Sequence, residues 1–374
     1  MNVSTQRPRT APPKRATRRI VAGGVAVAAA ALLLSSCSSS GSGGSAGQSG
    51  SAAASTVNVA FLGYADSNNY TQWALAAMKS VQTEIGAKVT LIDGQLNPQV
   101  QLRAMETVIA SHRYQAIVLM ANDPVSLLPT LERAGTAHIP VIVEGFTFGS
   151  TAQQGTLQQV YPQATSTVGG NYDFYANLAA KQIESAGAAK KGSTSAPCKA
   201  GLMPGLTSVP FSIGLVNQIS ADLKAQAPNI STNLPPQGEY TSAVSYGAAQ
   251  NYLQSDKDAD VIFAGGDNMV PGIQRAVQGA GLTPGKDVYL VGFGGTTEAV
   301  SAIKAGTWFA STALYPSTGG KVELQYAVDA VHGKTVPATK SFYDIPGVTM
   351  TDVNKQTLAK DPGFKGDWSA LTGP

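Results

Sequence analysis

Cys37 is the residue in this chain best placed for a covalent step. Its thiol closes the stretch Leu34-Ser35-Ser36-Cys37, where a diacylglycerol can be attached as a thioether. Six cations, Arg7, Arg9, Lys14, Arg15, Arg18 and Arg19, precede an apolar run from Ile20 to Leu34, and no Asp or Glu comes before Cys37. These are the basic and apolar regions of an export signal, and the run falls short of the roughly 20 residues of a membrane span. The pattern reads as a lipobox, with residues 1–36 a lipoprotein signal peptide and Cys37 the lipidation site that holds the protein outside the cytoplasm. An ordinary secretory signal or an uncleaved anchor helix is the alternative. Residues 37–55 are almost wholly Ser, Gly and Ala after the cysteine, a tether that reaches on the order of 23 Å root-mean-square. Thr17-Arg18-Arg19-Ile20-Val21 leaves twin-arginine export open beside the general secretory route.

The other reactive residue types form no catalytic pattern. His112, His138 and His332 have neither a metal-ligand spacing nor a Ser or Cys nucleophile signature beside them. Glu144 and Asp267 could act as a hydrolase pair only with a second motif, and none supports them. Gly265-Gly266 and Gly294-Gly295 lack the Lys-Ser/Thr of a phosphate loop. Asp256-Lys257-Asp258-Ala259-Asp260 lacks the Gly and terminal Glu of a calcium loop and reads as a solvated turn. Cys198 has no disulfide partner once Cys37 is lipidated, so it reads as a buried structural thiol in the connection before a strand. The expectation is no enzyme, no metal and no cofactor.

Composition agrees with an exported binding module. Without the six cations of the leader, 20 of the 26 Lys and Arg remain against 23 Asp and Glu. The net charge of about −3 and the absence of a basic patch exclude nucleic acid as a partner. About 320 residues follow the tether, enough for two cores.

The elements that must position a site alternate: a short apolar run, a Gly, Asn or Asp turn, then helical spacing. That alternation predicts an α/β fold with parallel sheets covered by helices on both faces. Strands are expected at 57–62, 89–92, 117–120 and 141–143, then at 201–203, 261–264, 288–291 and 311–314. Helices are expected near 70–86, 99–111, 125–137, 172–185, 213–227, 269–281, 296–306 and 321–331. In the first helix Trp73, Ala77, Val81 and Ile85 form the expected buried stripe. Two successive sets of the pattern suggest two similar doubly wound lobes, divided within Phe148–Gly170.

At this point the residues carry a family resemblance. Asp93-Gly94-Gln95-Leu96-Asn97-Pro98-Gln99-Val100-Gln101 resembles the second-strand exit of type I periplasmic binding proteins, in the ribose-type, sugar-binding branch of ABC importer lipoproteins. Ala116–Met120 with Asn122-Asp123-Pro124, and Ala137-His138-Ile139-Pro140-Val141-Ile142, are similar to the next two strands. Phe263-Ala264-Gly265-Gly266-Asp267-Asn268-Met269 and Val291-Gly292-Phe293-Gly294-Gly295-Thr296 resemble two turns of the second lobe, with Ala302-Ile303-Lys304-Ala305-Gly306 following. The resemblance covers residues 57–336. It implies two lobes joined by a three-segment hinge near 148–150, 314–317 and 341–345. The first lobe would hold 56–148 plus about 317–341, and the second 149–316 plus about 342–374. A ligand would close between strand C-terminal ends.

Asn68-Asn69-Tyr70, with Tyr64 on the same turn, matches the family's polar-then-aromatic loop. Tyr70 is the expected stacking face and Asn68 either a hydrogen-bonding partner or a helix N-cap. Glu144-Gly145-Phe146 stands where the family has Asp-Arg. Gly266, Gly294 and Leu314 replace a usual Asn, Asp and Gln, and the loop from Met203 to Phe211 lacks the Arg that usually follows it. Fewer donors leave a hydroxyl-rich ring underpaired by roughly 1–3 kcal/mol per group. Phe211, Tyr240, Asp267, Asn268, Phe293 and Tyr315 complete the candidate ligand contacts, and Trp73 is assigned to core packing.

The reading is a lipid-anchored, extracytoplasmic solute receptor of an ABC importer. Its expected partners are a sugar, polyol or related small molecule, the permease and its ATPase, with the receptor itself a monomer. Two alternatives stay open: a ligand-sensing lipoprotein for a membrane signalling partner, and a receptor for a less polar, non-sugar solute.

Overall fold

Apolar runs that alternate between two faces build both sheets. The structure, a computed structural model, describes residues 55–145 and 163–369. The expected signal peptide, Cys37, nearly all of the expected tether and Phe146 lie outside the described residues. In β1 (Val57–Leu62), Val57, Val59 and Phe61 join one core while Ala60 and Leu62 join another. The same alternation runs through β3 (Ala116–Met120), which is buried at every residue, as expected of a parallel strand covered on both faces.

The first sheet continues with β2 (Ala87–Ile92), β4 (Val141–Gly145), β5 (Ser166–Gly169) and β11 (Thr339–Ser341), in the order β11-β5-β4-β3-β1-β2 with all pairs parallel. Helices α1 (Asn69–Val81) and α9 (Pro316–Val331) cover one face, and α2 (Pro98–Ala110) and α3 (Leu128–Thr136) the other. The second sheet contains β6 (Cys198–Met203), β7 (Ile230–Asn233), β8 (Val261–Ala264), β9 (Tyr289–Gly294), β10 (Ala310–Ala313) and β12 (Asp352–Asn354). Its order is β12-β10-β9-β8-β6-β7, with only β12 antiparallel. Here α4 (Tyr172–Lys191) and α5 (Pro210–Gln226) cover one face. On the other lie α6 (Ser242–Ser255), α7 (Val270–Gly279) and α8 (Thr297–Ala305), and the short α10 (Lys355–Lys360) follows β12.

Three expectations need correction. Ser166–Gly169 pairs in parallel with Ile142–Gly145, so the first crossing comes after Gly169 rather than near 148–150. A four-residue strand of Ser, Thr, Val and Gly carries too little apolar alternation to stand out in the sequence. Next, α1 buries Thr71, Ala74, Leu75, Ala77 and Met78, while Trp73 is only half-buried. Four-residue steps drift by about 40° each around a helix, so a row at that spacing leaves the core face after two steps. Finally, Cys198 opens β6 rather than preceding the strand. It is 3% exposed, and burial, then the nearby Asp260, push its thiol up to about 11, which leaves it unreactive.

One buried amide locks the strand exits of the first lobe. Gln101, on α2, is fully buried and donates to Gly63 O (3.0 Å) and Met120 O (2.7 Å), while its own oxygen accepts from Asn122 N (2.7 Å). Replacing Gln101 by Leu strands three backbone groups. Each such loss costs roughly 1–3 kcal/mol, so urea unfolding of Gln101→Leu is expected to show a stability loss of about 3 kcal/mol or more. A loss under about 1 kcal/mol would mean the exits are held by something else.

Candidate functional site

The carboxyl ends of both sheets face a single cleft, where a cavity of about 120 Å³ is enclosed. That is well below the roughly 300–1,000 Å³ of sites for drug-sized molecules, so the cavity suits a small ligand. From the first lobe, the turn after β1 supplies Tyr64 and Asn68 and the start of α1 supplies Tyr70. Asn68 also caps α1, its oxygen accepting from Thr71 N at 3.0 Å. Glu144 enters from the end of β4. From the second lobe come Phe211, Tyr240, Asn268 and Phe293.

Glu144 dominates the electrostatics. It is 2% exposed, and Oε1 accepts a 2.6 Å hydrogen bond from the Tyr70 hydroxyl. Burial pushes its carboxyl up to about 8, and the bond from Tyr70 offsets only part of that rise. Tyr70 and Tyr64 are held well above their ordinary value by burial and then by Glu144. Glu323, fully buried on α9, is raised by burial and further by the Glu144 charge. Among the described residues no Lys, Arg or His lines the cavity, and no three acidic, His or Cys side chains converge as metal ligands.

Two expected contacts stand behind the cleft rather than in it. Asp267 is fully buried and accepts from Thr296 N (2.9 Å), Thr296 Oγ1 (3.0 Å) and Ser311 Oγ (2.8 Å). It ties the exits of β8, β9 and β10 together, with burial raising its carboxyl to about 6 against those bonds. Tyr315 is also buried, its hydroxyl donating to Met350 O, and it packs into the core. Phe146 lies outside the described residues.

Asn122, Leu96, Val209 and Trp368 line the cleft without having been singled out. Asn122 sits within a stretch that carries the family resemblance, directly after a strand, and that position was its available signal. Trp368 comes from the far end of the chain and had none. Its indole donates to Gly294 O at 2.9 Å, and its ring lies edge-on to Tyr70 with centroids 5.5 Å apart. A Cβ on Gly294 would stand 2.9 Å from Trp368, and one on Gly266 would stand 3.0 Å from the Tyr240 ring. Gly294 and Gly266, together with Gly205, are positions where a side chain would collide with these two rings.

The comparisons with known proteins agree with this architecture. A family model described as a periplasmic binding protein domain matches residues 59–335. The ribose import binding protein of Bacillus subtilis is 25% identical over 283 residues, 75% of this chain and 84% of that one. The galactofuranose-binding protein of Escherichia coli is 22% identical over 311 residues, 82% and 93% of the two chains. Among solved structures, a Mycobacterium smegmatis ABC transporter solute binding protein with bound glycerol has a TM-score of 0.69 at 20% identity, covering 84% of this chain and 99% of its own. One from Agrobacterium vitis with bound D-fucose has a TM-score of 0.68 at 18% identity, covering 82% and 98%. With two doubly wound lobes, a cleft at their strand ends and a family match across most of its length, the chain belongs to the periplasmic binding proteins, the solute-binding proteins of ABC transporters, and is not an enzyme.

Proposed function

We propose that the protein is a lipid-anchored, extracytoplasmic receptor of an ABC importer that captures a small, carbohydrate-like molecule by closing its lobes around it. The observation that carries this reading is the aromatic-walled cavity where the strand ends of the two sheets meet. Relatives named for ribose and galactofuranose, and solved neighbours holding glycerol and D-fucose, support a carbohydrate-like cargo. Tyr64, Tyr70, Tyr240 and Trp368 offer ring faces, Phe211 and Phe293 close the apolar floor, and Asn68, Asn122, Glu144 and Asn268 orient the ligand. Phe146, two residues after Glu144 in the sequence, is kept as a candidate contact from its position in the sequence alone. Asp267 and Tyr315 act indirectly, by fixing the loops that carry these contacts. The closed form is what the permease, powered by its ATPase on the other side of the membrane, would recognise, and the lipid on Cys37 would keep the receptor beside it.

A thermal-shift screen of the full-length protein against pentoses, hexoses, polyols and nucleosides tests the receptor reading. Ligand at about a thousand times its dissociation constant adds roughly 4 kcal/mol, a shift of several degrees for a protein of this size. Tyr70→Ala, at a half-buried position, is expected to weaken binding of the responding compound on the order of tenfold or more by calorimetry. Unchanged affinity would place the ligand elsewhere.

The anchor has its own test. Cys37→Ser is expected to move the protein from the membrane fraction to the soluble one, whereas retention in the membrane would point to an uncleaved anchor.

The buried carboxylate predicts a pH dependence of stability in the unliganded protein. Glu144 ordinarily titrates near 4.5 and is raised to about 8 on folding. Its contribution is therefore complete below about 4.5 and is lost as pH rises through 8. Glu144→Gln should melt several degrees above the parent at pH 8 and close to it at pH 5, with a residual slope in the same sense from Glu323. Parallel melting curves for the two proteins across this range would refute the assignment.

A further inference from the structure

Among the described residues, two buried side-chain atoms of the cleft are left without a partner, and both accept hydrogen bonds when Glu144 is ionised. Glu144 Oε2 and Asn122 Oδ1 are both buried and find no hydrogen-bond partner among the described residues. The Asn122 amide is fixed in this orientation because Nδ2 donates to Tyr64 O (3.1 Å) and Gly94 O (3.2 Å), which occupies both of its hydrogens. Of the donors nearby, the Tyr70 hydroxyl goes to Glu144 Oε1 and one N–H of Asn268 Nδ2 to Tyr240 O. A sugar hydroxyl brings only one hydrogen to these acceptors. An ammonium group has N–H donors and no lone pair, so nothing on it is left without a partner.

Charge points the same way. Tyr70 contacts Glu144, and the other titratable groups that act on its charge among the described residues are Tyr64 at the first strand exit, Tyr175 on α4 and Glu323 on α9, none of them cationic. Both oxygens of Glu323 are likewise without a hydrogen-bond partner among the described residues. Glu144 is thus buried with no Lys, Arg or His lining the cleft among the described residues, while Glu323, outside the lining, adds its influence from α9, a combination that is costly to ionise unless a positive charge arrives. The walls favour that charge too: Tyr64 and Tyr70 are tilted at 6.5 Å, and Tyr70 and Trp368 stand at 82° to each other, presenting several π systems to one small volume.

We infer that the ligand of this cleft carries a protonated primary amine, received by Glu144 Oε2 and Asn122 Oδ1 and flanked by the Tyr64, Tyr70 and Trp368 rings. This rests on the receptor reading above and narrows it from carbohydrate-like solutes to amino sugars, aminocyclitols and similarly small amines.

Matched pairs decide it. Binding to the full-length protein at pH 7 is measured by calorimetry for D-glucose against D-glucosamine and D-galactose against D-galactosamine. Scyllo-inositol against 1-amino-1-deoxy-scyllo-inositol completes the set. In at least one pair the amine is expected to bind about tenfold tighter or more, the scale of one charge-assisted hydrogen bond. Glu144→Gln keeps an acceptor and removes the charge, and should shrink that preference to within about threefold. If neutral members bind as tightly as their amines or more tightly, the amine inference falls while the receptor reading stands. If no member of any pair binds at millimolar concentration, both fall. A preference that survives intact in a folded Glu144→Gln protein would also overturn the assignment, and should that variant fail to fold, the wild-type pairs still decide.

Discussion

A carboxylate buried at the end of a strand, with a tyrosine hydroxyl as its partner and no cation beside it, is the constraint on which this cleft is built. Removing a charge from water is expensive, and the protein answers by raising the Glu144 carboxyl toward neutrality rather than by supplying a counter-ion. The Tyr70 hydroxyl reaches Glu144 because Asn68 caps α1 and sets the angle at which its first turn leaves β1. Gln101 then clamps the neighbouring exits of β1 and β3 from below. The geometry of the first lobe around the cleft follows from these few polar bonds, each between side chains or backbone groups that have no solvent to turn to.

The second lobe reaches a compatible surface by removing side chains. Gly266 and Gly294 leave space at the cleft wall, and Tyr240 and Trp368 occupy it. Asp267, between them in space, is turned away from the cleft and used as a fastener for Thr296 and Ser311. The result is a wall rich in rings and poor in donors, facing a lobe that contributes a carboxylate. Specificity in such a site comes as much from what an ill-suited ligand leaves unpaired as from what a suitable one gains.

Legibility in the sequence tracked how continuous each signal is along the chain. Strands such as β1 and β3 were visible because β3 is apolar throughout and β1 at every residue but Asn58, and α7 and α8 because they follow glycine-marked turns. β5, β7, β11 and β12 are three or four residues long and largely polar, and owe their conformation to pairing with strands already in place. α6 is built mostly from Ser, Ala, Gly and Gln, so it shows little apolar stripe even though it packs closely on α7. The cleft divides in the same way. Tyr64, Asn68, Tyr70 and Glu144 could be read from their places at strand exits. Trp368 could not, because it is brought in by contacts more than seventy residues away in sequence.

Those contacts give the C-terminal segment a role beyond supplying a ring. Asp367 accepts from Ser317 N (2.7 Å), Thr318 N (3.1 Å) and Thr318 Oγ1 (2.6 Å), and so caps the start of α9, which belongs to the first lobe. The next residue, Trp368, is bound through its carbonyl to Thr297 N (2.9 Å) and through its indole to Gly294 O, both in the second lobe. Two adjacent residues therefore span the point where the chain passes from β10 into α9, one of the three connections about which the lobes would turn. A rotation at that connection must carry Asp367 and Trp368 with it or break one of their sets of bonds. Because Trp368 is also a wall of the cavity, whatever occupies the cleft presses on the same short segment that holds the hinge, and a coupling between occupancy and lobe angle needs no longer path than one peptide bond.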